Sequence, residues 1–281
     1  MFMKNGEELF QHILMNLNND FDAYEKRAIA KSILYDIAHF KMPWFSQTNV
    51  SLDLIFGINH SITRINAGEP TQYVCGVAPF RNYLLKVDEN VLIPRPETEE
   101  LVSLVLDNLP LIPPGKGIDI GTGSGAIALS IALESDCEMD ALDISQGALK
   151  VARLNIDKYS AKVNLIHDDI LKSSLPGNYS FIVSNPPYIP VMDKKDMLDS
   201  VLNYEPKEAL FVPDDSPLLF YERITDLSLK SLIPKGALFF ECHPKYIYFV
   251  SELLIAKGFE KVQVLLDVSG KQRMVQGFMP D

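Results

Sequence analysis

Cysteine is scarce in this chain. There are three in 281 residues, Cys75, Cys137 and Cys242, odd in number, far apart and without a CxxC pair. That excludes a disulfide framework, and no ligand spacing suggests zinc, so no metal site is expected. Positive charge is also short, with 26 Lys and Arg against 37 Asp and Glu, a net charge of -11. A duplex-binding protein would show a basic surface, so nucleic acid is not the expected partner; a partner with a basic surface suits this balance better. No stretch reaches the roughly 20 apolar residues that cross a bilayer. Glu7, Glu8, Asn16 and Asp20 interrupt the N-terminal segment, which therefore lacks the apolar run of a signal peptide. These absences lead to the expectation of a cytoplasmic protein with reduced thiols. What is present is ordinary globular material, 47% hydrophobic and 22% charged, enough for one large domain or two modest ones.

The first 68 residues read as a small helical bundle. Asp22 and Glu25 have capping-box spacing, and Tyr24, Ala28, Ile29, Ile33, Leu34, Ile37 and Ala38 recur at helical spacing. Leu52–Phe56 and Ile62–Ile65 suggest two further short helices, and Trp44 is a candidate anchor. From 69 to 96, turn residues separate short β-rich runs, which predicts a β-hairpin linker. The third domain, 97–281, begins with a helix over Glu100–Leu109 and then alternates strand and helix. Strands are expected at Gly117–Ile120, Glu138–Asp143, Val163–His167, Phe181–Ser184, Ala237–Cys242, Lys261–Asp267 and Arg273–Phe278. Such alternation implies an α/β fold with a mainly parallel sheet, whose ligands bind beyond the carboxyl ends of the strands.

The chemistry-bearing motifs fall at those ends. Gly121, Thr122, Gly123, Ser124 and Gly125 link the first strand to its helix, and such a turn lets backbone approach a ligand beside a helix N-terminus. Its spacing is GxGxG rather than the dinucleotide GxGxxG. Asp143 ends the second strand, where an acid can accept hydrogen bonds from ribose hydroxyls. Ser145 is the expected cap of the following helix. Asp168, Asp169 and Ile170 end the third strand; a carboxylate there could take an adenine amino group while Ile170 packs on the ring, or the pair could be a solvated turn. Asn185-Pro186-Pro187-Tyr188 ends the fourth. The Asn amide oxygen accepts from an N–H, Pro186 has no N–H of its own, and Tyr188 adds an aromatic face, which suits a planar nitrogen group. Asn-Pro is also an ordinary turn dipeptide. Together these features fit adenosine bearing a charged group and point to S-adenosylmethionine. His167 and His243 are conceivable bases, although a lone His is more often structural.

With these motifs in place, the chain resembles the bacterial release-factor glutamine N5-methyltransferases over most of its length. The resemblance rests on Gly68-Glu69-Pro70, Val91 through Glu100 with its Pro94-Arg95-Pro96-Glu97-Thr98-Glu99 run, Asp119 through Gly125, Asn185 through Tyr188, Tyr204-Glu205-Pro206, and Asp267 through Gly270 with Arg273. It implies a class I S-adenosylmethionine-dependent methyltransferase, a Rossmann-like seven-stranded sheet behind a helical domain that recognises a peptide-chain release factor. By that resemblance Gly121, Thr122, Gly123, Ser124, Gly125, Asp143, Asp169, Ile170 and Asn185 hold the cofactor. Asn185, Pro186, Pro187 and Tyr188 hold the substrate glutamine, Asn185, Pro186 and Tyr188 acting in catalysis, and Pro94 and Arg95 wall the pocket. No membrane or direct nucleic-acid partner is implied. Two stretches depart from the family pattern: Phe211–Ser216, where a glycine-rich turn is usual, and Phe80-Arg81-Asn82, where a glycine is common and Asn82 is the residue suited to left-handed geometry. The alternatives are an amino-methyltransferase acting on a nucleobase, a nicotinamide-dependent oxidoreductase, which leaves Asn185–Tyr188 unexplained, and a non-catalytic release-factor-binding protein.

Overall fold

The computed structural model describes residues 5–40 and 50–281; Trp44 lies outside them. The chain divides into two compact units.

The smaller unit takes in the chain up to Val77 together with residues 198–204. It contains helices α1 (Gly6–Asn16), α2 (Ala23–Ser32), α3 (Leu52–Asn66) and α4 (Thr71–Cys75). Asp22 caps α2 in a full capping box with Glu25, as the spacing predicts. The core is built from Leu9, Phe10 and Ile13 of α1, Ile29 and Ala30 of α2, Ile33 and Leu34 just beyond it, and Ile58, Ile62 and Ile65 of α3. Tyr24 is 83% exposed and Ala28 also faces outward, so the buried stripe of α2 runs through Ile29, Ala30 and Ile33 instead. The two short helices expected after residue 51 are one continuous helix, α3, capped by Ser51. Gly57 does not break it, and its carbonyl accepts the Ser61 hydroxyl at 3.0 Å.

The larger unit holds the remaining residues from Ala78 onward. Strands β1 (Val77–Phe80) and β2 (Tyr83–Lys86) form the expected two-stranded piece. Its left-handed residue is Arg81, with φ 52°, not Asn82. The guanidinium anchors that strained turn through Glu134, the Glu99 carbonyl and Ser103. Helix α5 (Pro96–Asn108) starts before the predicted Glu100 because Pro96, which needs no N–H partner, opens its first turn.

Thereafter come β3 (Gly117–Ile120), α6 (Ala126–Glu134), β4 (Met139–Asp143), α7 (Gln146–Tyr159), β5 (Val163–His167), β6 (Tyr179–Ser184), the short β7 (Ile189–Pro190), α8 (Asp199–Tyr204, part of the smaller unit), the short β8 (Phe211–Val212), α9 (Leu219–Ser231), β9 (Leu232–Glu241), α10 (Ile247–Ala256), β10 (Glu260–Leu266) and β11 (Gln272–Phe278). The seven-stranded sheet has the order β10-β11-β9-β6-β3-β4-β5. Only the pairings of β11, with β10 and with β9, are antiparallel.

The central strands are buried on both faces, which explains their continuous apolar runs. Phe181, Val183, Ala237 and Phe239 face a core shared with α5 and α6. Ile182, Leu238 and Phe240 point the other way, to Tyr221 and Ile224 of α9 and Ile247 and Val250 of α10. The strand order reverses at β3: the chain runs outward through β4 and β5, then returns to place β6 on the other side of β3. The carboxyl ends of β3 and β6 therefore stand side by side at a crevice, where open α/β sheets bind ligands.

Candidate active site

A cavity of about 450 Å³ lies at that switch point, within the larger unit. Gly121, Gly123, Asp143, Asp169, Ile170, Asn185, Pro186 and Pro187 line it. Sequence-distant segments thus meet at one place because β3, β4, β5 and β6 all end there.

The glycine turn divides into two kinds of residue. Gly121 and Gly123 have φ of 77° and 55°, and a Cβ on either would meet no protein atom within 4 Å. Packing does not demand glycine at these two positions; left-handed backbone and the open space beside them do. Gly125, with φ 82°, is different, since a Cβ there would approach that of Ala152 at 3.3 Å. It lets α6 sit against α7. Thr122 donates to Asp119 Oδ2 at 2.6 Å, and the Ser124 carbonyl accepts from Asn155 at 2.9 Å. Thr122, Ser124 and Gly125 shape the turn and are not among the residues lining the cavity.

Asp143 does more than the sequence suggested. Ser145 caps α7 as expected, accepting from Ala148 N at 3.1 Å. Asp143 meanwhile accepts from Gly123 N at 2.8 Å through one oxygen and from Ser145 N at 2.9 Å through the other. It ties the glycine turn to β4, and the carboxylate keeps accepting capacity for a ligand hydroxyl. Burial pushes its pKa up, opposed by the N–H groups of Ser145, Gly123 and Ile144 and by His167. Asp119 is fully buried beneath the turn, and desolvation pushes its pKa up to about 7 despite the Thr122 hydroxyl. Its Oδ1 has no well-formed hydrogen bond, although Ala128 N–H at the start of α6 still favours its charge.

Asp168 and Asp169 form a turn that also borders the cavity. Asp169 pairs with Lys172 at 2.8 Å and accepts from Leu171 N at 3.0 Å, and the Lys172 ammonium holds its pKa down. Asp168 accepts from Ser173 and from Asp169 N. Apolar side chains, among them Ile170, Leu142, Phe220 and Ile224, complete that wall. Left-handed glycines beside open space, a buried acid that accepts hydrogen bonds and an apolar wall suit the ribose hydroxyls and the flat ring of adenosine.

Asn185 follows β6. Its Nδ2 donates to Thr98 Oγ1 at 3.2 Å, and Thr98 in turn donates to Glu241 Oε2 at 2.7 Å. Thr98 is 5% exposed and Glu241 1%. Tyr188 O–H reaches the other Glu241 oxygen at 3.5 Å, and its ring meets His243 edge-on at 5.8 Å. Desolvation raises the pKa of Tyr188 and, against the pull of Thr98 and Arg273, that of Glu241. Tyr188 is thus tied to Glu241 and is not among the residues lining the cavity. Pro94 and Arg95 are not among them either. Arg95 pairs at 2.5 Å with the buried Glu205, whose other oxygen accepts Ile93 N, so the loop before α5 is held in place.

His167 Nε2 donates locally to the Ile144 carbonyl, 2.9 Å away, and His243 accepts from Lys245 N at 3.1 Å. Neither lines the cavity. Sequence reading missed Glu241 as a site residue; an acid closing a buried apolar strand was the available clue. No group of three or more His, Cys, Asp or Glu among the described residues is placed to hold a metal ion. No helix among them is long and apolar enough to cross a membrane.

Residues 99–210 match the methyltransferase small domain family. A release factor glutamine methyltransferase of Bacteroides thetaiotaomicron is 40% identical over 221 residues, covering 78% of this chain and 79% of its own. The Bacillus subtilis protein of the same name is 34% identical over 262 residues, covering 89% of this chain and 90% of its own. Among solved structures, a methyltransferase from Pyrococcus furiosus superposes with a TM-score of 0.52 at 18% identity, covering 70% of this chain and 89% of its own. That last likeness is one of fold, the class I S-adenosylmethionine-dependent methyltransferase sheet.

Proposed function

The chain belongs to the release factor glutamine methyltransferase family, and from that membership we propose that it methylates the side-chain amide nitrogen of the glutamine in the Gly-Gly-Gln loop of a peptide-chain release factor. The observation that carries this reading is the position of Asn185, Pro186 and Pro187 on the wall of the same cavity as Gly121, Gly123 and Asp143. A grip for a carboxamide and a seat for adenosine share one enclosure.

S-adenosylmethionine, when bound, supplies an electrophilic methyl carbon on a sulfonium. Gly121, Gly123, Asp143, Asp169 and Ile170 are the residues we assign to hold it, with Thr122, Ser124 and Gly125 setting the turn. An amide nitrogen is a weak nucleophile because its lone pair is delocalised into the carbonyl. The protein's task is therefore to orient it. The Asn185 side-chain oxygen and the Pro186 carbonyl each accept one N–H of the substrate amide, which fixes the nitrogen's direction and favours positive charge there. Tyr188 donates to Glu241, the carboxylate that also receives the Thr98 hydroxyl. Orientation of this kind lowers barriers by several kcal/mol, up to about 7–11, and acceptors aimed at developing charge add to it. No side chain is assigned as a strong base.

The helical unit is assigned to recognition of the release factor; a basic surface on that partner would suit this acidic chain. Incubation with labelled S-adenosylmethionine and either a release factor or an RNA of matched concentration tests the reading. Label is expected in the release factor and lost when its loop glutamine is changed to alanine. Label in RNA alone would assign the chain to nucleobase methylation instead.

A further inference from the structure

Thr98 and Glu241 stand outside the cavity, yet they form a buried chain of hydrogen bonds that ends on Asn185, a side chain of its wall. A threonine hydroxyl has one proton to give. Here it goes to Glu241, 2.7 Å away, a carboxylate that can only accept when ionised. Having given its proton away, Thr98 Oγ1 can offer Asn185 nothing but lone pairs. It can therefore receive the Asn185 NH2 group and would repel the Asn185 oxygen. An asparagine turned over would set two acceptors against each other across 3.2 Å. The Asn185 oxygen makes no hydrogen bond with the described residues and is not buried, so it remains reachable by a ligand.

We propose that Thr98, aimed by Glu241, is a positioning residue that fixes which way the Asn185 carboxamide faces, presenting its oxygen rather than its nitrogen to the reacting amide. This rests on the reading that Asn185 receives the substrate amide. The difference matters because a turned-over Asn185 would offer N–H groups to the substrate's N–H groups. The donor–acceptor match would fail while the shape of the cavity stayed the same. The arrangement draws on three separate elements. Thr98 lies in the first turn of α5, Asn185 follows β6, and Glu241 ends β9, the strand that pairs with β6 in parallel. That pairing brings Glu241 beside Asn185, and Pro96 at the start of α5 sets the turn that carries Thr98.

The test compares Thr98→Ser, Thr98→Ala and Thr98→Val in the full-length enzyme. Serine and alanine both lose the buried methyl group and differ only in the hydroxyl; valine keeps the shape and loses the hydroxyl. Single-turnover methylation of a release factor, affinity for S-adenosylmethionine and thermal melting are measured for each. Thr98→Ser is expected to keep the methylation rate within about threefold of the wild type, while the alanine and valine variants fall by about tenfold or more, since one hydrogen bond governs the orientation. Affinity for S-adenosylmethionine is expected to stay within about threefold in all variants, because Thr98 does not line the cavity. Equal rates for the serine and alanine variants in an otherwise active enzyme would overturn the relay and leave the proposed function standing. A parallel loss of rate and cofactor affinity would also overturn it, by making Thr98 a structural support. A wild-type enzyme that leaves the release factor unmethylated would remove the function and the relay together.

Discussion

Asn185→Ala should separate binding from chemistry. Among the described residues the side chain makes one hydrogen bond, 3.2 Å to Thr98. Its loss leaves Thr98 still donating to Glu241 at 2.7 Å, so no buried donor is orphaned. Asn185 is half-buried, and removing it should cost on the order of 1 kcal/mol of stability. That corresponds to a melting-temperature drop of about 2–4 °C for a domain of this size. The methyl donor loses one wall contact and keeps Gly121, Gly123 and Asp143, so its affinity should change by less than about fivefold. The substrate amide, in contrast, loses an acceptor aimed at developing charge, and losing one such partner typically costs about 10²–10³ in rate. Single-turnover methylation of a release factor with saturating cofactor, alongside calorimetric titration of S-adenosylmethionine, measures both quantities on one preparation. Turnover within about threefold of the wild type would refute the assignment of Asn185 as the amide acceptor. A loss of rate matched by an equal loss of cofactor affinity would refute it as well.

Two further perturbations probe the floor of the site. Gly123→Ala and Gly125→Ala both force a side chain into left-handed backbone, at about 1–2 kcal/mol each, but Gly125→Ala also crowds Ala152 at 3.3 Å. Melting should fall more for Gly125→Ala, while Gly123→Ala, whose Cβ enters the open space, should weaken S-adenosylmethionine binding at least as much as its partner does; the reverse order in both assays would contradict the division of labour drawn here. Asp119 holds its proton more tightly folded, at about 7, than unfolded, at 3.8, so its contribution to stability is complete below pH 4 and is lost as pH rises through 7. Asp119→Asn, which keeps an acceptor for Thr122 and cannot ionise, should gain on the wild type in urea unfolding as pH rises from 4 to 8, by on the order of 4 kcal/mol in total; a difference that does not change with pH would rule out the buried acid.

Much of the fold is legible because buried parallel strands leave continuous apolar runs. Gly117–Ile120 and Val163–His167 are where periodicity puts them, and the strand ends carry the motifs. The departures have local causes. Leu52–Phe56 and Ile62–Ile65 read as two short helices, yet the isolated Gly57 is tolerated inside one helix whose other face packs. Tyr24 has helical spacing but projects from the first turn, away from the core. Arg81 takes left-handed backbone because Glu134, far along the chain, holds its guanidinium. The site was legible in its cavity-lining residues and less so in its support. Thr98 and Glu241 are 143 residues apart, and their contact depends on β9 lying beside β6, a strand order that periodicity does not encode. Nor does spacing separate Gly123, which faces open space, from Gly125, which faces a helix.

The central claim is that one carboxamide nitrogen of a release factor receives the methyl group. Fragment-ion mass spectrometry of a release factor after reaction with the enzyme and S-adenosylmethionine locates it most directly. The account predicts a gain of one methyl confined to the loop glutamine, on its side-chain nitrogen. A methyl on any other residue, or none where the enzyme turns over cofactor on another substrate, would contradict it.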